Sequence, residues 1–180
     1  MIGQMLGITP PQAYFLMLIC VLPICFWVCL SDLKKMRIPN KANGLLMLVF
    51  LVVGGLMLPL DVFAWRWLNL LAVLVIGFFL TNFAGVGAGD SKFAAAAAPF
   101  FDPAHLSFIL PLFAACLLGT FAGHRLFRAI PAVRRATPDW ASWGHKKFPM
   151  GLALVGTLVG YLLIRSFPSL YDALFAWTTM

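Results

Sequence analysis

The sequence predicts an all-α polytopic membrane protein of about six transmembrane helices. Hydrophobic residues make up 62% of the 180 positions and charged residues only 11%. The mean hydropathy is +0.95. The apolar residues gather into runs of membrane-crossing length, separated by short polar or Pro- and Gly-rich segments. This composition excludes a soluble domain built around a buried core, and the length suits one bundle, a single domain over 1–180. The net charge of +7 raises nucleic acid as a partner. Its distribution argues against one: the basic residues cluster in two loops between apolar runs, as cytoplasmic loops do, so membrane lipids are the expected contact.

A helix needs ~20 apolar residues to cross a hydrocarbon core of ~30 Å. The first candidate span is 13–30, with Pro23 as an internal kink. The uncharged segment 1–11 before it lacks the basic start of a signal peptide, so this span is expected to be retained. A polar loop, 31–43, leads to a second span at 44–60. Residues 61–66 read as a tight connection, with Trp65 and Trp67 as interfacial anchors around it, and the third span is 67–81. The fourth, 85–101, is the difficult one. From Ser91 to Phe101 a helix rises only ~16 Å at 1.5 Å per residue. Either it begins before Asp90 or the preceding glycine loop is recessed, and both place Asp90 at depth. The alanine run 94–98 suits close helix packing. The fifth span, 106–126, has Pro111 near its start, and the sixth is 149–164. Between them lies a basic loop, 127–148, carrying Arg128, Arg134, Arg135, Lys146 and Lys147. In the tail, Leu170, Leu174, Phe175 and Trp177 have loosely helical spacing, as in an interfacial helix.

Six spans put both termini on one side. With the N-terminus outside, eleven of the thirteen Lys and Arg residues face the cytoplasm and only Arg66 and Arg165 lie outside. Basic residues stay cytoplasmic, so the expected topology is N-out, C-out. Asp61, Asp102 and Asp172 then read as solvated outer-loop residues. Asp32 and Asp90 fall at cytoplasmic helix ends.

All six acidic residues are Asp. A carboxylate at membrane depth is costly and marks a functional site by default. Asp90 follows Gly87-Ala88-Gly89 and precedes Ser91-Lys92. Its bland reading is a cap on a helix starting at Ser91. Asp32 resists such a reading. It ends a helix, where the macrodipole disfavours an anion. A surface ion pair with Lys35 or Arg37 would add little. Two-carboxylate peptide hydrolysis supplies a reason for both acids. One carboxylate activates water, the other polarises the scissile carbonyl, and close like charges share one proton. Gly87 and Gly89 remove bulk beside Asp90, so that a substrate backbone or a neighbouring helix can approach.

Asp32 is followed, after four intervening residues, by Arg37-Ile38-Pro39-Asn40, with Pro39 suited to the first turn of the second helix. This pattern and Gly87-Ala88-Gly89-Asp90-Ser91-Lys92 together resemble the two motifs of the type IV prepilin peptidases, in the same order. The basic loop and Phe148-Pro149-Met150-Gly151 at the start of the last span look like that family too. The resemblance implies an intramembrane GxGD aspartyl protease with Asp32 and Asp90 as its catalytic pair. Gly87, Gly89, Lys92, Arg37, Pro39 and Asn40 become supporting motif residues. It implies no metal and no cofactor. The substrate would be a prepilin or pseudopilin with a short basic leader ahead of a hydrophobic helix, cut at the cytoplasmic face of the bacterial inner membrane. Longer relatives carry a cytoplasmic cysteine-rich segment and also methylate the new amino terminus. Here Cys20, Cys25, Cys29 and Cys116 lie within apolar spans and read as small packing residues. The expected form is therefore a short, peptidase-only one, similar to those serving tight-adherence (Flp) pili. Ser91 replaces a commonly apolar residue, with no consequence expected for the chemistry.

The remaining polar residues read more plainly. His105, His124 and His145 lack ligand spacing. Trp140 and Trp143 are expected to seat the basic loop on anionic headgroups. Asn69 and Asn82 are expected to hydrogen-bond between helices. Two rivals stand beside the peptidase: a small ion- or proton-coupled transporter using Asp32 and Asp90, and a noncatalytic pilus-assembly scaffold.

Overall fold

The computed structural model describes residues 7–145 and 148–175, and their secondary structure is helical. Helix α1, Pro10–Lys35, opens on a capping box in which the Thr9 N–H donates to Gln12 Oε1 at 2.8 Å. It runs through Pro23 without a break. Its buried residues, Tyr14, Met17, Leu18, Val21, Ile24, Cys25 and Val28, repeat at helical spacing, and Asp32 lies on the same stripe. Lys34 and Lys35 in the last turn favour its C-terminal dipole end. Helix thus occupies much of the loop expected at 31–43, and residues 36–39 alone join α1 to α2.

Helix α2, Asn40–Val49, continues through a π turn, Phe50–Gly54, into Gly55–Met57. Phe50 is fully buried, with ring contacts to Phe63 (5.6 Å), Trp67 (5.5 Å) and Phe100 (5.3 Å). Helix α3, Leu60–Phe83, absorbs the connection expected at 61–66. Pro59 precedes it and Asp61 sits in its first turn, where an anion complements the dipole. Trp65 is exposed as an anchor would be, but Trp67 packs inward.

Helix α4, Ala88–Ala97, extends through a 3₁₀ turn, Ala98–Phe100. It buries Ala95, Ala96, Ala97 and Ala98. A second 3₁₀ turn, Pro103–His105, leads into α5, Leu106–Ala129. The basic loop expected at 127–148 is largely structured: it contains the end of α5, helix α6 (Pro131–Ala136) and a 3₁₀ turn at Ala141–Trp143. Lys146 and Lys147 lie outside the described residues. Helix α7, Gly151–Ser166, packs along α1 and α5, and α8 is Pro168–Phe175. The expected tail helix thus exists, although Trp177 lies outside the described residues.

Among the described residues, four segments are long and apolar enough to cross a membrane: Pro10–Lys35, Asn40–Met57, Leu60–Phe83 and Pro103–Ala129. Helix α7 is a shorter apolar helix. The ten residues of α4 rise only ~15 Å. The expected count of six spans is therefore met by length and composition in four.

Away from Asp32 and Asp90, a second polar cluster ties the bundle. Arg66 is 4% exposed. Its guanidinium pairs with Asp102 at 2.9 Å and donates to the carbonyls of Pro99 and Phe100, both at 3.3 Å, and to Tyr14 Oη at 3.4 Å. Asp102 also caps the following 3₁₀ turn through Ala104 N–H, at 3.1 Å. Tyr161 Oη accepts from Asp102 N–H at 3.0 Å and lies 2.9 Å from His105 Nδ1. Asp102 is therefore the partner of a buried cation, not a freely solvated loop acid; Asp61 and Asp172 are exposed. Asn69 donates to the Phe101 carbonyl at 3.1 Å, a contact between elements as expected, whereas Asn82 bonds within its own helix to Phe78.

Removing the partner of the buried Arg66 cation strands it, at a cost below the ~3–5 kcal/mol of a fully buried pair because Asp102 is part-exposed. Asp102→Ala is expected to lower the midpoint of thermal unfolding in detergent clearly. Asp61→Ala, an exposed control, is expected to leave it near wild type.

Candidate active site

The inward stripe of α1 ends in Asp32, which is 4% exposed. Met36 closes the helix in the left-handed conformation, φ 51°, with its N–H donating to the Asp32 carbonyl at 2.8 Å. Ser31 Oγ donates to the Arg37 carbonyl at 2.8 Å and draws the connection back over the helix end. Residues 37–40 then turn into α2, with Pro39 at its cap position just before Asn40.

The carboxylate of Asp32 does not pair with Lys35 or Arg37 among the described residues. Its Oδ2 accepts the backbone N–H of Gly151 at 2.8 Å, in a buried contact. Gly151 is the first residue of α7, so the acid that ends one helix sits at the positive start of another. A Cβ on Gly151 would stand 2.7 Å from that same oxygen.

Asp90 occupies the first turn of α4, whose cap is Gly87. The helix begins before Asp90, so the acid is not the cap of a helix starting at Ser91. Its side chain folds back over Gly87, and a Cβ there would collide with Asp90 Oδ2. Gly89 has a different neighbour: its Cβ would meet Ile38 at 3.7 Å, an ordinary contact. The first glycine thus makes room for the acid itself, and the second faces the Arg37–Asn40 connection. Gly85, at φ 68°, turns the chain between α3 and α4 where a side chain would be strained. Ser91 has a structural role. Its hydroxyl lies 2.9 Å from Thr81 Oγ1, and Gly77 opposite leaves room for its Cβ, so the start of α4 is clamped against α3.

Asp32 and Asp90 line one cavity of about 920 Å³, and their charges interact. Arg37, Pro39, Asn40, Gly87, Gly89 and Lys92 line it as well, so all eight residues singled out by sequence share one space. The remaining wall comes from the end of α5, where Phe121, His124, Arg125 and Arg128 face the cavity, and from His145, Phe148 and Met150. Sequence reasoning did not assign this wall. Its available signal is the helical spacing of 121, 124, 125 and 128 near the end of an apolar run. Trp143 differs from expectation too. Trp143 is buried, stacked between His124 (5.1 Å) and Trp140 (5.5 Å), and its Nε1 donates to the Thr137 carbonyl at 3.0 Å. It holds the connection onto the bundle and does not seat it on headgroups. Among the described residues no three His, Cys, Asp or Glu side chains group as metal ligands.

The model of the type IV leader peptidase family matches residues 17–124. The chain belongs to that family. No curated protein and no solved structure matches it significantly. Membership gives it the general role of a type IV leader peptidase, with a prepilin as the implied substrate. The matched part of this leader peptidase contains both motif segments and ends at His124, ahead of the helix that supplies Gly151.

The two motif glycines are expected to respond differently to alanine. In the leader peptidase, Gly87→Ala displaces the Asp90 carboxylate; on the reading that Asp90 takes part in the chemistry, it should slow removal of a prepilin leader about a hundredfold, as misplacement of a reacting group by ~1 Å does. Gly89→Ala adds only an ordinary contact with Ile38 and should cleave close to wild type. Band-shift assays of a co-expressed prepilin distinguish the two.

Proposed function

We propose that this leader peptidase is an aspartic endopeptidase in which Asp32 and Asp90 jointly activate one water. The observation that carries the reading is their convergence: two acids from different helices line one cavity with their charges interacting. When the two carboxylates come together over a substrate they share one proton, because charging both is costly. The ionised one accepts a proton from water as the water oxygen attacks the scissile carbonyl carbon. The protonated one donates to the carbonyl oxygen, giving a tetrahedral diol. Collapse breaks the C–N bond, and a proton passes to the leaving amine. Gly87, Gly89, Arg37, Pro39 and Asn40 shape the backbone around the pair, and Lys92 adds a cation to the cavity rim.

The substrate is a prepilin or pseudopilin whose short basic leader is removed at the cytoplasmic face of the bacterial inner membrane. Six segments crossing alternately, N-out and C-out, place the acids there. The contacts support this topology. Helix α4, although short, carries the chain from Asp90 to the Pro99 and Phe100 carbonyls that hold Arg66, and α7 runs from Gly151 to Tyr161 in the same cluster. The activity is peptidase alone, of the kind that serves tight-adherence pili. In support, the four cysteines lie within α1 and α5 and not in a connection between helices.

Separate Asp32→Asn and Asp90→Asn variants are expected to accumulate in the membrane and leave a co-expressed prepilin uncut. Mass spectrometry of the pilin N-terminus reads the outcome. A normally matured pilin with either variant, and no other processing enzyme present, refutes the dyad. Ion flux without processing would favour a transporter, and pilus assembly with both Asn variants a scaffold.

A further inference from the structure

We infer that Gly151 is a positioning residue of the peptidase: its backbone amide orients the Asp32 carboxyl for hydrolysis, and its lack of a side chain is what lets Asp32 occupy that place. The inference rests on Asp32 acting as proposed above. It extends the catalytic apparatus to α7, a helix beyond the family-matched residues 17–124.

Geometry and hydrogen-bond chemistry carry the argument. The Gly151 N–H donates to Asp32 Oδ2 at 2.8 Å, with both groups buried. An N–H only donates, so Oδ2 must present a lone pair to it. A carbonyl oxygen accepts better than a hydroxyl oxygen, so when Asp32 holds the shared proton the bond favours its placement on Oδ1. The bond thus makes the two oxygens inequivalent and fixes the plane of the carboxyl group. It also gives an acid stranded at the C-terminal end of α1 the positive end of α7 as compensation.

The space around Gly151 is specific to Asp32. A Cβ would stand 2.7 Å from Oδ2 and 3.1 Å from Cγ of that residue, and 3.1 Å from Ile38 Cδ1. Two other glycines of α7 are less constrained. At Gly156 the nearest atom would be Cys116 Sγ at 3.3 Å, and at Gly160 it would be Leu112 Cδ1 at 3.6 Å. The demand for glycine is therefore strongest where the helix meets the acid.

The test uses the full chain in detergent micelles. The substrate is a prepilin with a basic leader, a glycine junction and a hydrophobic helix. Gly151→Ala is expected to lower kcat about a hundredfold with KM unchanged, because substrate still binds while the acid is misplaced. Gly160→Ala, on the same helix, should keep wild-type kcat. Adding Ile38→Val to Gly151→Ala removes the Cδ1 contact and leaves the Asp32 collision, so it should not restore kcat. Wild-type kcat in Gly151→Ala, or full recovery with Ile38→Val, overturns the inference. Should Gly151→Ala fail to accumulate, amide exchange on the unmutated glycine decides. The Gly151 N–H should exchange slowly in wild type and faster in Asp32→Ala, and equal rates overturn the inference. The two readings fail separately: an Asp32→Asn variant that still cleaves refutes the dyad, whereas an inactive Asp32→Asn beside a fully active Gly151→Ala refutes only the role of Gly151.

Discussion

A backbone amide at the start of the last long helix holds the carboxylate at the end of the first, and the site is organised around that bond. The reason lies in how antiparallel helices pack. Two such helices bring the negative end of one dipole beside the positive end of the other. An acid at the end of α1 is poorly placed with respect to its own helix and well placed with respect to α7. The contact is reached because the apolar stripe of α1, through Val21 and Val28, packs with that of α7, through Leu158 and Leu162, in one core. Hydrophobic packing sets the level of the two helices, and the hydrogen bond sets the orientation of the acid.

Helix α4 applies the same principle in a shorter element. Its first turn bears Asp90, and the carbonyls just after its last turn accept from Arg66. An anion at the N-terminus and a cation at the C-terminus complement the dipole at both ends. With α3 clamped to it through Ser91 and Thr81, the helix has little freedom to slide. The buried Arg66 guanidinium holds the chain at the far end of α4 through the Pro99 and Phe100 carbonyls.

Much of the site was legible in the sequence because acids are rare there and costly in hydrocarbon. Asp32 and Asp90 stood out for that reason, and the eight motif residues do line one cavity. What was not legible depends on long-range contacts. Residues 61–66 look like a turn by composition, yet Pro59 and Asp61 start a helix whose Arg66 points inward. Asp102 looks solvated until Arg66 is brought to it. Trp143 looks interfacial until His124 and Trp140 stack on either side of it. Gly151 appeared only as part of a resemblance, since nothing local links it to an acid in another helix. The short α4 and α7 fall below the length by which a span is recognised, so among the described residues the six expected segments yield four of crossing length.

The Asp32–Gly151 bond joins residues 119 positions apart. A ribosome makes the acid first and its donor 119 residues later, at a pace of about 5–20 residues per second. For several seconds the nascent chain holds both aspartates while the amide that orients one of them does not yet exist. Biogenesis therefore withholds the finished geometry until the closing helix has inserted, and a chain released early carries the acids without the means to aim them.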